Sequence, residues 1–201
     1  MKRWNGLFFI VTASFSAAIL SAAILSPFSI AWAEQAAPAS LSPKAVEALE
    51  LVSSDDHYKQ ALGFLRLEAL REPASVPLIL PYASHKDPDL RAESVRALAA
   101  IQGIEAVPLL LDRIEHDNNS RVRRAAMLGA EPFIELDPKI LPVLIAMLTD
   151  HDKTVSMAAV DIVSRSLDPS ARAAIQFRYK REGRHDVRRV LDLAMKRMAA
   201  K

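Results

Sequence analysis

The sequence predicts an all-α array of stacked two-helix repeats, and three observations carry that expectation. Glycine is scarce, 5 in 201 residues, while alanine and leucine abound; such usage favours helices over a turn-rich β fold or a glycine-rich phosphate loop. An apolar residue, followed in most cases by a basic one, recurs as Tyr58-Lys59, Leu90-Arg91, Val122-Arg123, Val155-Ser156 and Val187-Arg188, at spacings of 32, 32, 33 and 32 residues. A period of that length holds two helices and their turns, the pattern of an α-solenoid. Prolines at the head of apolar stretches, Pro43, Pro77, Pro108 and Pro142, recur at spacings of 34, 31 and 34.

The chain begins with Lys2 and Arg3, its only charges before Glu34. An apolar run from Leu7 to Leu25 follows, then the helix breaker Pro27 and the small residues of Ala31-Trp32-Ala33. A basic end, an apolar middle and a small-x-small exit predict a signal peptide over residues 1–33 and use of the general secretion route. The run also approaches membrane-spanning length, so an uncleaved anchor is the alternative. The net charge of +2, from 26 Lys and Arg against 24 Asp and Glu, is the contribution of Lys2 and Arg3; both tryptophans, Trp4 and Trp32, lie in the same segment. Residues 34–41 read as a short linker and 42–201 as the repeat domain. The absence of cysteine excludes disulfides, thiol catalysis and thiolate metal sites.

Within a repeat the first helix opens at its proline, whose missing amide has no helical partner in the first turn. Val76-Pro77-Leu78-Ile79-Leu80, Val107-Pro108-Leu109-Leu110-Leu111 and Leu141-Pro142-Val143-Leu144-Ile145 are variants of one such element. Pro81, one turn further on, is expected to shorten or bend its helix. The second helix carries the apolar–basic anchor. Three residues before the anchor lie Asp55, Asp87, Asn119, Asp152 and Arg184; four after it lie Leu62, Ser94, Ala126, Ala159 and Leu191, and seven after it Leu65, Ala97, Gly129, Ile162 and Ala194. Steps of four and seven place one small-to-apolar stripe on a helix face, too narrow to form a core until neighbouring units stack. Glu72-Pro73, Asp137-Pro138 and Asp168-Pro169 mark turns between units, the two aspartates as helix caps.

Asp87-Pro88-Asp89-Leu90-Arg91, followed by Val95, Ala97-Leu98 and Ile101, resembles the HEAT repeats, specifically the short HEAT-like class first described in phycobilin lyases. The resemblance covers residues 42–199, about five repeats. It is strong at 76–102, good at 107–130 and 141–167, and weak in the terminal units. It implies a right-handed α-solenoid with the second helices on the concave side. Ser156 stands where the family's basic residue sits, Arg184 stands in the acidic position, and the fifth unit lacks the helix-start proline. An inter-repeat Asp–Arg ladder is therefore expected to lapse beyond the third repeat. The lyases act on a pigment in the cytoplasm, so the resemblance implies fold and not activity for a chain with an export signal.

All five histidines, His57, His85, His116, His151 and His185, fall near the loop between the two helices of a repeat, beside acids as in Asp150-His151-Asp152. Imidazole and carboxylate suit Zn²⁺ or Cu²⁺. Stacked helices lie roughly 8–10 Å apart, however, while metal bonds are about 2 Å; solvated turn residues are the competing reading, and no metal ligand is assigned. Arginine concentrates on the second helices. Arg91, Arg123 and Arg188 occupy the anchor's basic position, where pairing with loop aspartates would hold the stack; Arg96, Arg124 and Arg189 have no such structural role. Arg96, Arg124, Arg189, Arg123 and Arg188 are the candidate partner-binding residues, suited to an acidic protein segment or a polyanion.

Enzyme signals are negative: the sequence holds no Gly-x-Ser-x-Gly, no His-Glu-x-x-His and no phosphate-binding glycine loop. No catalytic residue, cofactor or small-molecule substrate is assigned. DNA-cradling basic HEAT-like glycosylases need aromatic and acidic residues around a flipped base; the few aromatics beyond residue 33 and the leader argue against nucleic acid. Phe177 and Tyr179 amid Arg178, Lys180 and Arg181 read as a solvated helix face or a membrane-surface patch. The expectation is an exported, periplasmic or secreted, non-catalytic scaffold that binds an acidic protein segment in its concave groove, with membrane contact only if the leader stays attached. The alternative is a periplasmic metal-binding or metal-delivering protein using the loop His and Asp residues. Oligomeric state is left open. Charge is uneven along the array: residues 34–164 carry 13 basic and 20 acidic residues, and residues 165–201 carry 11 and 4, which makes the last repeat the basic end.

Overall fold

Four of the five second helices begin on a side-chain cap. Asp56, Asp87, Asn119 and Asp152 accept hydrogen bonds from the amides of Tyr58, Asp89, Arg121 and Thr154 at 2.8–2.9 Å, satisfying donors that a helix start leaves free. The computed structural model describes residues 40–200; the expected leader, residues 1–33, and all but the end of the linker lie outside the described residues. Ten α-helices with short 3-10 turns, and no strand, make up the described residues. They pair as α1 (Pro43–Val52) with α2 (His57–Leu70), α3 (Val76–Ile79) with α4 (Pro88–Gln102), α5 (Val107–His116) with α6 (Ser120–Ala130), α7 (Ile140–Ala146) with α8 (Lys153–Val163), and α9 (Pro169–Arg181) with α10 (His185–Ala199). The fold is the expected all-α solenoid of five two-helix repeats.

The prolines sit as anticipated. Pro43, Pro77 and Pro108 occupy the first two positions of α1, α3 and α5, and Pro142 falls in the first turn of α7. Pro81 limits α3 to four residues before the chain tightens into a 3-10 run over Leu80–Ser84. Two expectations are corrected. The fifth repeat does have its helix-start proline: Pro169 opens α9 behind the cap Asp168, displaced from the period because α8 is shorter than α2 and α4 and no long turn makes up the difference. Asp137 does not cap α7; its side chain accepts from the Lys139 amide at 2.9 Å and closes a turn just ahead of the helix.

The register of the first repeat is also shifted by one. Its cap is Asp56, not Asp55, which moves the anchor from Tyr58, 78% exposed, to Lys59. Gly63, Phe64 and Leu67 of α2 are then buried four, five and eight residues after the anchor. The same steps bury Ser94, Val95 and Leu98 of α4, Ala126, Met127 and Ala130 of α6, and Ala159, Val160 and Val163 of α8. Leu65 leaves the stripe and faces water.

The core runs the length of the array. Phe64, Ile79, Leu98, Leu110, Met127, Leu144, Ile162, Ile175 and Leu191 are fully buried in successive layers, each shared between neighbouring helices. Second helices pack along the array, more extensively from α2 through α4 to α6 than from α6 through α8 to α10. Small residues set helix separations within and between repeats: a Cβ at Gly63 of α2 would lie 2.7 Å from the Ala48 carbonyl oxygen and the Val52 amide of α1, and one at Gly129 of α6 would lie 2.8 Å from the Ala99 Cβ of α4.

Candidate functional site

Two sets of arginines leave the second helices in different directions, one into the stack and one onto its surface. The inward set forms a ladder whose acidic members the sequence reading passed over. They stand five residues before the anchor, at Asp117, Asp150 and Glu182, not three before it, where the caps are. Arg91 donates from Nε and Nη2 to the Asp117 carboxylate at 2.9 and 2.8 Å and from Nη1 back to the His85 carbonyl at 2.9 Å. Arg123 repeats the arrangement one unit on, with Asp150 at 2.9 and 2.8 Å and the Asp117 carbonyl at 3.0 Å. Each guanidinium thus joins its own loop to the next through a two-pronged ion pair. The Arg123 and Asp150 side chains are each only 5% exposed.

The ladder does not lapse at the fourth repeat. Ser156 brings no cation to its rung, yet Glu182 is buried there. Arg184, the residue that replaces an acid in the fifth unit, turns back to fill the gap: Nε and Nη2 lie 3.3 and 3.2 Å from the Glu182 oxygens, and Nη2 lies 3.3 Å from Ser156 Oγ. Arg178 closes the other side at 2.5 Å. The two departures compensate one another. Burial works against a charge on Glu182, but hydrogen bonds from Arg184 outweigh it and hold the carboxyl below its usual range; at Asp117 the same burial is outweighed by Arg91 and the Asn119 amide.

The outward set lies on the inner face, meaning the side of the second helices turned away from the first helices. At 100° per residue, positions two, six and nine after the anchor point there, opposite the buried stripe. Arg124 and Arg189 occupy position two in α6 and α10; both are exposed and, among the described residues, have no ion pair. Between α2, α4 and α6 runs a groove of about 510 Å³ whose floor includes Ala99, Ala100, Gly129, Leu128 and Phe133. A second hollow, lined by Arg96, Arg124 and Leu128, continues it. Arg71 stands at the groove's edge as the C-cap of α2, in the left-handed conformation at φ 50° where glycine is the usual occupant. It is exposed and, among the described residues, unpaired; it is not among the predicted site residues, because an arginine gives no sequence signal for a left-handed cap.

The five predicted binding arginines therefore divide. Arg124 and Arg189 are free on the inner face. Arg96 is there too but is held by Glu68 at 3.1 Å and Glu93 at 2.8 Å. Arg123 is corrected to a structural residue, because its guanidinium is buried and fully engaged. Arg188 is exposed; it follows the ladder pattern with a 3.4 Å bond to the Glu182 carbonyl and lies over the Tyr179 ring at 4.8 Å. The loop histidines stay apart: among the described residues no three His, Asp or Glu side chains come together as a metal site. His57, His116 and His151 each lie beside an aspartate, at 3.6, 3.3 and 3.5 Å, with the rings largely in solvent.

The family model for HEAT repeats matches residues 42–131, and HEAT repeats are assigned to those residues. Among solved structures, the complex of CpcE and CpcF of phycocyanin lyase from Nostoc sp. is similar, with a TM-score of 0.62 and 23% identity over 75% of this chain and 96% of that one. An engineered protein is similar with a TM-score of 0.51 and 16% identity, covering 79% of this chain and 80% of that one. At these identities the likeness is one of fold. No curated protein matches the sequence.

Proposed function

We propose that the chain is an exported, non-catalytic scaffold whose inner face binds an acidic segment of a protein partner. The observation that carries this reading is the division of the arginines: those of the ladder are consumed by the stack, while Arg71, Arg124 and Arg189 keep charges that are unpaired among the described residues, Arg71 and Arg124 beside the hollows across α2, α4 and α6 and Arg189 on α10. Unpaired cations around an apolar floor suit carboxylates presented with apolar side chains. A similar HEAT-like fold occurs in a complex of two protein subunits, which supports a protein as the partner class. Arg71→Glu, Arg124→Glu and Arg189→Glu together leave helicity and melting temperature nearly unchanged, because all three side chains are exposed, and deplete the proteins captured by the tagged chain from its envelope fraction. An unaltered captured set discards this surface.

Export rests on residues 1–33 and has its own test. Cleavage after Ala33 removes Trp4 and Trp32, so protein purified from the exported fraction lacks indole fluorescence; emission near that of tryptophan shows the leader retained.

A further inference from the structure

The corrected register of the first repeat brings a second pattern onto the inner face. Six residues after the anchor stand Leu65, Arg96, Leu128, Asp161 and Leu193 in repeats one to five. The three leucines are 51%, 44% and 62% exposed. A single leucine in water needs no explanation; three at one register, on alternate repeats of one face, form a row. The rungs between them are closed: Arg96 is held by Glu68 and Glu93, and Asp161 by Arg165 and Arg197. One helical turn before Leu128 and Leu193 stand the free cations Arg124 and Arg189.

Spacing identifies what fits such a row. Stacked helices lie roughly 8–10 Å apart, so leucines two repeats apart are separated by roughly 16–20 Å. An extended chain advances about 3.3 Å per residue and covers that distance in about five or six residues. Six is an even number, so residues at that interval leave the same side of an extended chain.

We propose that the inner face recognises an extended acidic segment carrying apolar residues about six positions apart, which dock on Leu65, Leu128 and Leu193 while intervening carboxylates meet Arg124 and Arg189. This rests on the reading that the inner face binds an acidic partner, and adds the apolar spacing as its specificity. The test uses the full chain and three fluorescein-labelled acidic peptides of about 15 residues, followed by anisotropy. One carries leucines six apart, one carries the same leucines in a single cluster, and one carries serine in their place. The spaced peptide binds at least about tenfold tighter than the other two, the scale expected when leucines are partly buried. Leu128→Ser erases most of that advantage without changing affinity for the leucine-free peptide; Leu65→Ser and Leu193→Ser act likewise, so the test survives if one variant folds poorly by circular dichroism. Equal binding of all three peptides overturns the leucine row and leaves the acidic-partner reading standing. No binding by any of them overturns both.

Discussion

Glu182 shows how much of this array is decided by single side chains acting in place of one another. Its carboxylate is buried against Ser156, where the preceding rungs have arginine, and keeps its charge because Arg184 and Arg178 reach it. Arg184→Ala leaves a buried carboxylate with one cation instead of two, and is expected to cost about 1–3 kcal/mol, read as a lower urea midpoint at unchanged m-value. Ser156→Arg with Arg184→Asp rebuilds the regular rung and recovers most of that loss; a double variant no better than the single one would falsify the compensation. Acid acts on the same groups. Glu182 and Asp117 have folded-state pKa values below their unfolded ones, so their stabilisation is complete above the ordinary carboxylate range, about 4, and is lost as pH falls through the folded values. Melting temperature should stay level down to about pH 5 and drop below about pH 4, and the drop should be shallower in Arg184→Ala. The stacking role of Arg91 and Arg123 was legible from their period. Their partners were not, because each rung joins residues 26 or 27 positions apart and every loop offers two polar candidates, one of which is spent on a cap.

At the scale of the helix, the sequence pattern located every second helix but misplaced one by a residue. Asp55 and Asp56 are adjacent and both competent caps, and Tyr58 is as plausible an anchor as Leu90 until burial is known; the interior decides, because Gly63 is the residue on which α1 rests. An alanine Cβ at Gly63 would lie 2.7 Å from the Ala48 carbonyl oxygen and the Val52 amide, backbone atoms that cannot swing aside. Gly63→Ala therefore separates α1 from α2 and is expected to destabilise by about 1–3 kcal/mol, although alanine is favoured over glycine in a helix interior by about 1 kcal/mol. Gly183→Ala meets nothing within 4 Å and serves as the neutral control in the same chemical melts. The free leucines followed from this one-residue shift: with Tyr58 as anchor, Leu65 reads as core and the inner-face row disappears. Arg71 was obscured differently, since its left-handed backbone is a tertiary outcome that residue type argued against.

At the scale of the whole array, packing loosens after α6 and charge turns basic after α8, so the last repeat is both loosely packed and basic. The second helices pack more extensively from α2 to α6 than from α6 to α10, and residues 165–201 hold 11 basic against 4 acidic residues, whereas residues 34–164 are acidic on balance. Repeats touch only their neighbours, so local stability need not be uniform along the array. Amides of α4 and α6 should exchange slowest with deuterium, and those of α9 and α10 fastest among the helices. Salt then separates two electrostatic effects of opposite sign. In the last repeat, Lys180, Arg181, Arg189 and Lys196 are exposed cations without a carboxylate partner among the described residues, so screening relieves repulsion. In the middle repeats, exposed pairs such as Arg121 with Asp89 and Arg96 with Glu68 are weakened by it, by well under about 1 kcal/mol each, while the buried rungs barely respond. Raising ionic strength from about 0.05 to about 0.5 M shrinks the Debye length from roughly 14 to roughly 4 Å. Over that range exchange should slow in α9 and α10 while staying constant or rising slightly in α2 and α4. A uniform change along the chain would mean that the basic end carries no repulsive strain of its own, and that looser packing alone sets its lower protection.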